Sequence, residues 1–346
     1  MPIVKLAIVI LNWNGADMLH RYLPSVIRCS QMDGVQVYVA DNASTDRSLA
    51  VMQTEFPDIP VIRLDHNYGF AEGYNRALQT IEAQYYLLLN SDIEIRQPRW
   101  VQPMLRRMDA EPDIAACQPK LLQLYDDGTP APPTPRFEYA GAAGGFIDRY
   151  GYPFCRGRIF ATTEPDLGQY DTDCDLHWAT GAALMVRAAD YHAVGGLDAR
   201  FFAHQEEIDL CWRLRLRGRR IVCVSQSTAF HLGGATLNKD NPQKTFLNFR
   251  NNLLLLYKNL PDAELRPTLR RRRWLDLLAA LQYLLRADIA NFKAVRRARR
   301  EFKKMTAEYA GHRAKIQQQA TAAAPRSPYS ILWQYYVRRR TRFTQL

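Results

Sequence analysis

Residues 5–15 read KLAIVILNWNG, an apolar, β-branched run that ends at two asparagines and a glycine. The apolar part, Leu6 to Leu11, is too short for a core helix and has the continuous hydrophobicity of a strand buried on both faces. The unit recurs: further strands are expected at 35–40, 60–64, 85–89 and 114–118, with helices at 16–29, 45–55, 70–82 and 97–109. Such alternation specifies an α/β fold with a mostly parallel central sheet, because parallel neighbours need crossover helices. Ligands of such sheets bind beyond the carboxyl ends of the strands, so the residues that follow each strand come first.

Those residues are unusual. Asn12-Trp13-Asn14-Gly15 follows the first strand and Asp41-Asn42-Ala43-Ser44-Thr45-Asp46 the second. The third leads into Asn67-Tyr68-Gly69-Phe70-Ala71-Glu72-Gly73-Tyr74-Asn75, and the fourth into Asn90-Ser91-Asp92. Any one of them could be a helix cap or a tight turn; four in succession point to a ligand. Asp92, directly after a buried strand, offers the hard oxygen that Mg²⁺ or Mn²⁺ prefers when it holds a diphosphate. As a cap for the helix near Gln97 it would stand too far upstream. Asp41 either accepts a hydrogen bond from the imide N–H of a uracil or thymine ring or closes an Asx turn.

Residues 119–175 lose the rhythm and gather Gly, Pro and Asp, as an irregular excursion over one side of a cleft would. A compact α/β pattern returns at 178–231, with a helix near 205–217 and a strand near 220–224. Three acids open that helix. Glu206 precedes Leu210 by one turn and so faces the protein or a cleft, with Glu207 beside it. His231 closes the last strand, where a neutral imidazole would complete a metal shell.

The 346 residues are 47% hydrophobic and carry a net charge of +11, a globular composition that excludes wholesale disorder and a collagen-like chain. The charge is unevenly spread: residues 1–235 hold 22 Lys+Arg against 28 Asp+Glu, and residues 236–346 hold 24 against 7. The reading is therefore an acidic catalytic domain, 1–235, and a basic helical C-terminal region, 236–346, broken near Pro261, Pro267 and 322–328. Within the latter, WLDLLAALQYLLRADIANF (274–292) reads as an amphipathic helix flanked by Arg270–Arg273 and by the basic residues from Arg296 to Lys304. It suits an anchor on an anionic membrane surface, or packing on the catalytic domain or on a second subunit of a homo-oligomer. No stretch has the roughly 18–20 uninterrupted apolar residues of a bilayer span. The scattered cysteines, without a C-x-x-C pair, fit a reducing, cytoplasmic setting on the inner face of the plasma membrane.

The strings IVILNWNG, VADNASTD, NYGFAEGYN, LLLNSD, ATGAALMVR, GGLD-x-x-FF, EEIDLCWR and FHLGGAT follow one another in this order. Through them residues 5–235 resemble the family 2 glycosyltransferases, nucleotide-diphospho-sugar enzymes of the GT-A fold, and above all the rhamnosyltransferases of bacterial surface-polysaccharide assembly. The resemblance implies an inverting, Mg²⁺- or Mn²⁺-dependent transfer of a single sugar. The donor would be dTDP-rhamnose or a UDP-hexose, and the acceptor a glycan or lipid-linked glycan. It implies Asp41 at the nucleotide base, Asp92 as the metal-binding acid of the D-x-D position with Asn90 in the first place, and His231 at the metal or diphosphate. Asn12, Asn14, Asn67, Gly69 and Asn75 join the donor site, and Glu207 aligns with the catalytic base, with Glu206 as its substitute. A sugar nucleotidyltransferase would carry a basic glycine-rich loop after the first strand, where Asn12–Gly15 stands. A nucleic-acid-binding protein would use the basic tail but leave the acidic strand ends without purpose; no nucleic acid is expected as a partner.

Overall fold

The computed structural model describes residues 4–126, 128, 131–233 and 241–346. Its first part alternates as expected: β1 (Val4–Asn12), α1 (Ala16–Cys29), β2 (Val35–Asp41), α2 (Ser48–Glu55), β3 (Val61–Arg63), α3 (Gly69–Leu78), β4 (Ala83–Leu89), β5 (Ile93–Glu94), α4 (Gln102–Ala110) and β6 (Ile114–Gln123). The excursion contributes β7 (Gly145–Ile147), β8 (Pro153–Cys155), β9 (Arg158–Ile159), β10 (Thr162–Thr163) and β11 (Cys174–Asp175). Then come β12 (Ala183–Arg187), α5 (Ala188–Ala193), α6 (Glu206–Leu216) and β13 (Arg220–His231). Three long helices follow, α7 (Pro242–Asn259), α8 (Asp262–Leu285) and α9 (Ile289–Gln318).

The main sheet runs β11-β13-β6-β12-β4-β1-β2-β3, with β5 paired to β13, and β7 to β10 form a small antiparallel sheet of their own. β1 pairs in parallel with both β2 and β4, β13 runs parallel to β6, and β12 enters reversed between β4 and β6. Side chains of β1 alternate strictly. Leu6, Ile8 and Ile10 join the layer under α1 and α4, while Ala7 and Val9 join the layer that holds Tyr74, Trp178 and Trp212. This is how a strand buried on both faces reads as one unbroken apolar run.

Three boundaries differ from the sequence reading. α4 begins at Gln102 rather than near 97, because Ile93 and Glu94 are drawn into pairing with His231 and Phe230. β13 runs on past 224 to His231, after a register shift between Val224 and Thr228. The 274–292 segment is two helices, split at Arg286–Asp288 where Ala287 takes φ +59°. Pro267 lies within α8 without interrupting it.

The C-terminal helices are built onto the sheet module. Leu253–Leu256 of α7 and Phe302, Met305 and Tyr309 of α9 belong to the same apolar cluster as Trp178 and Trp212. The domain boundary expected near 235 lies outside the described residues. An ionic knot reinforces the join: Lys258, 2% exposed, donates to Asp198 at 2.6 Å and to Asp209 at 2.7 Å. Asp209, fully buried on α6, also accepts from Arg213 at 2.8 Å and from Asn259 at 2.9 Å. Burial would raise the Asp209 pKa, but the Lys258 and Arg213 charges hold it below its ordinary value. Removing one partner of a buried pair leaves the other charge uncompensated, which costs roughly 3–5 kcal/mol. Lys258→Met should therefore lower the unfolding free energy by about that amount in urea titrations with an unchanged m-value.

Candidate active site

Strand register assembles the first part of the site. Asn12 lies opposite Asp41 across the β1–β2 ladder, and its amide donates to Asp41 Oδ1 at 3.3 Å and to Ser44 Oγ at 3.2 Å. Asp41, 2% exposed, also accepts the Ser44 N–H at 3.0 Å, which closes the loop after β2 on its carboxylate. Asn14, at φ +52°, accepts from Thr45 N at 2.7 Å while its own N–H donates to Ser44 Oγ at 2.9 Å. Asn42 donates to Asn67 Oδ1 at 3.0 Å and to the Gly69 carbonyl at 3.1 Å, and accepts from Tyr68 N at 3.0 Å. The loops after β1, β2 and β3 thus form one hydrogen-bonded rim. Gly69 has φ +72°, and a Cβ there would stand 3.1 Å from the Phe202 ring, so glycine lets the loop before α6 close against this rim.

Asn75 stands apart from that rim. Its amide donates to the Leu197 carbonyl at 2.8 Å and accepts from Leu197 N and the Tyr191 hydroxyl. Both ends of the amide are used inside the fold. Asn75 thereby holds the 195–197 turn in position.

The second part lies where β4, β5 and β13 meet. Asp92 and His231, both buried, approach to 3.1 Å through Asp92 Oδ1 and His231 Nε2, and Asn90 Nδ2 lies 3.3 Å from the same nitrogen. Leu232 N donates to the Asp92 carbonyl and Gly233 N to Asp92 Oδ2. On the far side of the imidazole, Glu138 Oε1 lies 3.3 Å from Nδ1, at ion-pair distance without hydrogen-bond geometry. Burial by itself would lower the His231 pKa; Glu138 and Asp92 together raise it to about 10. Asp92 is held below its ordinary value by the His231 charge against the opposing effect of burial. In this arrangement His231 is an imidazolium between two carboxylates, where the sequence reading expected a neutral ring. Among the described residues, no three His, Cys, Asp or Glu side chains are pre-arranged around a vacant metal position; these three pair with one another.

Glu206 and Glu207 open α6. Glu206 is 5% exposed and its Oε2 has no hydrogen-bond partner, while Glu207 is half-buried. Burial pushes the Glu207 carboxyl up to about 7; burial, and then the Glu207 charge, raise Glu206 well above its ordinary value. The 180–182 turn connects the two parts. A Cβ on Gly181 would stand 3.5 Å from Glu207 Cβ, and the next residue, Ala182, accepts the Asn90 N–H at 3.0 Å. Both parts lie at the same end of the sheet.

Two contributors were not singled out from the sequence. Glu138 sits in the aperiodic excursion, where nothing local marks it. Asn251 does carry a signal, as one of the polar residues set among the apolar ones of FLNFRNNLLLL. It is fully buried, and its amide lies 3.0, 2.8 and 2.8 Å from the carbonyls of Phe201, Ala203 and His204. Those carbonyls belong to the segment that delivers Glu206, in which Phe202, His204 and Gln205 all have positive φ. Such backbone persists only when its surroundings hold it.

The comparisons with known proteins agree with this geometry. Residues 7–161 match the family model "Glycosyl transferase family 2". The chain is 25% identical over 240 residues to the O-antigen biosynthesis protein RfbC of Myxococcus xanthus, covering 68% of this chain and 18% of that protein. It is 23% identical over 246 residues to the N-acetylglucosaminyl-diphospho-decaprenol L-rhamnosyltransferase of Mycobacterium tuberculosis, covering 68% and 78%. The chain thus spans less than a fifth of the first relative and most of the second. Its fold matches the crystal structure of GalNAc-T7 with UDP, GalNAc and Mn²⁺ at a TM-score of 0.56 and 15% identity, covering 74% of this chain and 48% of that one. With its strand order and these likenesses, the chain has the GT-A-type fold, and its residues 7–161 are similar to the family 2 glycosyltransferases.

Proposed function

We propose that the protein transfers a single sugar, with inversion, from a nucleotide-diphospho-sugar to a glycan or lipid-linked glycan in bacterial surface-polysaccharide synthesis. The observation that carries the reading is the meeting of Asp92, Glu138 and His231 at the carboxyl end of the sheet, with Glu207 at that same end and its pKa raised to about 7. dTDP-rhamnose is the first donor to test and UDP-hexoses the second. The mycobacterial relative, an N-acetylglucosaminyl-diphospho-decaprenol L-rhamnosyltransferase by name, supports both the rhamnosyl donor and a lipid-linked acceptor.

Asp92 and His231, 3.1 Å apart, would hold a divalent cation once the imidazole gives up its proton, with Glu138 at the opposite ring nitrogen orienting it. Their donors are one carboxylate and one imidazole, a mixed oxygen and nitrogen set that suits Mn²⁺ at least as well as Mg²⁺. When bound, the metal would neutralise charge on the departing diphosphate. The remaining work falls to the chain. The rim of Asn12, Asn14, Asp41, Asn67 and Gly69 would hold the nucleotide, with Asn90 beside the diphosphate.

The base step follows from α6. A Glu207 oxygen accepts the proton of an acceptor hydroxyl while that oxygen bonds to the anomeric carbon, and the bond from that carbon to the diphosphate oxygen breaks on the opposite face. A carboxylate with a pKa near 7 is a stronger base than an ordinary glutamate and is about half ionised at neutral pH. Glu206, its carboxyl raised well above its ordinary value by burial and by the Glu207 charge, stands beside it.

Incubation with labelled dTDP-rhamnose or UDP-hexoses and a lipid-linked glycan tests the reading, with labelled glycan as the expected product. Glu207→Gln should reduce turnover by roughly 10²- to 10⁴-fold while leaving donor affinity nearly intact; loss of donor binding would make the residue structural. Because only ionised Glu207 accepts a proton, kcat/KM should rise with pH through about 7. That limb should persist in Glu206→Gln and disappear in Glu207→Gln. Asn251→Ala, which frees three carbonyls of the α6 approach, should lower kcat by roughly 10- to 100-fold with little change in donor KM. Asn251→Asp, lacking the N–H donors, should not restore it.

A further inference from the structure

Helix α8 is built inside out. Its inner face carries Thr268, Arg272, Asp276 and Ala280, while Trp274, Leu277, Leu278, Leu281 and Leu285 are 45–80% exposed. The positions 274, 278, 281 and 285 share one helical face, so the exposed residues form a continuous stripe. Its orientation is locked from within. Arg272, 1% exposed, bonds Asp276 at 3.2 Å and the Tyr150 carbonyl at 3.2 Å and lies 4.1 Å over the Tyr152 ring; Arg299 of α9 closes on the other Asp276 oxygen. A helix free to turn would bury its leucines and expose its ion pair. Here the buried pair fixes the opposite choice, and large exposed apolar patches mark interaction surfaces.

The rim of the stripe identifies the occupant. Arg266, Arg270, Arg271 and Arg273 are exposed around its start and Arg286 at its end, and Asp276, the only acid between residues 265 and 287, is buried. Next to the far end lies an aromatic turn, Trp333–Val337, with Trp333, Tyr336 and Val337 exposed. Tyr336 is within electrostatic range of Arg286, Tyr283 and Tyr139. Tyr139 adjoins Glu138, so this surface reaches the rim of the active site. Two copies meeting through the stripe would bring like-charged arginine rims together. An anionic lipid surface complements both features: the apolar stripe and interfacial Trp and Tyr enter the headgroup boundary, and the arginines meet lipid phosphates.

We propose that the exposed face of α8, continued by the Trp333–Val337 turn, seats the protein on an anionic membrane surface with the active-site rim at its edge. The contact is peripheral, since no helix among the described residues is long and apolar enough to cross a bilayer. It is independent of the transfer reaction and is tested without substrate.

The full chain is floated with vesicles of phosphatidylcholine alone or of phosphatidylcholine mixed with phosphatidylglycerol. It should float with the mixed vesicles only and be released by added salt. The variant Trp274→Ser/Leu278→Ser/Leu281→Ser, altered only at exposed positions, should bind the mixed vesicles roughly tenfold or more weakly with an unchanged Tm. Arg270→Glu/Arg273→Glu should lose the anionic preference. A wild-type chain that floats with neither vesicle, or a triple variant that binds as well as the wild type, overturns the proposal. So does a wild-type dimer in sedimentation velocity that the triple variant splits, which would make the stripe an interface between copies.

Discussion

The site depends on an imidazolium held between two buried carboxylates. Asp92, Glu138 and His231 come from three distant parts of the chain, and each is less than 10% exposed. Their attraction, strengthened by the low dielectric of the interior, ties the end of β4, the excursion after β6 and the end of β13 to one point. Hydrogen bonds from Leu232 and Gly233 to Asp92 close the same junction. The interaction that organises the fold there also gathers oxygen and nitrogen donors where a diphosphate and its counter-cation would lie.

The second half of the site is held from outside the sheet. Glu206 and Glu207 begin a helix entered through residues in left-handed conformations, and the approach is tied down by Asn251 of α7. Further along α6, Asp209 is tied to the same helix by Lys258 and Asn259. The C-terminal region therefore shapes the site as well as extending the surface. Its basic residues divide accordingly: Lys258, Arg272 and Arg313 are spent on internal partners, and the exposed arginines of α8 frame an apolar stripe.

Much of this was legible in the sequence. The apolar runs that end in asparagine and aspartate gave the parallel sheet and its ligand-bearing end, because strand burial and strand-end chemistry are both local. Asp92 and His231 do meet, and Glu206 points inward as its spacing from Leu210 implied. Glu138 was invisible because its role depends on a partner more than ninety residues away in a stretch without periodicity. The ties of Asn75 to the 195–197 turn were not legible, because polarity at a helix face does not reveal which neighbouring loop takes the amide. The break at Ala287 has no glycine or proline to announce it, and the inversion of α8 follows from its own Arg272–Asp276 pair, whose burial depends on the Tyr150 carbonyl and on Arg299 of α9, partners distant in sequence.

The most direct test of the account is calorimetric titration of UDP and dTDP, with and without Mn²⁺, into the wild-type chain and into Asp92→Asn and His231→Ala. If the strand-end cluster grips a diphosphate through a cation, nucleotide binding in the wild type requires Mn²⁺ and weakens by roughly 100-fold or more in each variant. Nucleotide affinity that is indifferent to Mn²⁺ and unchanged by both substitutions would contradict it.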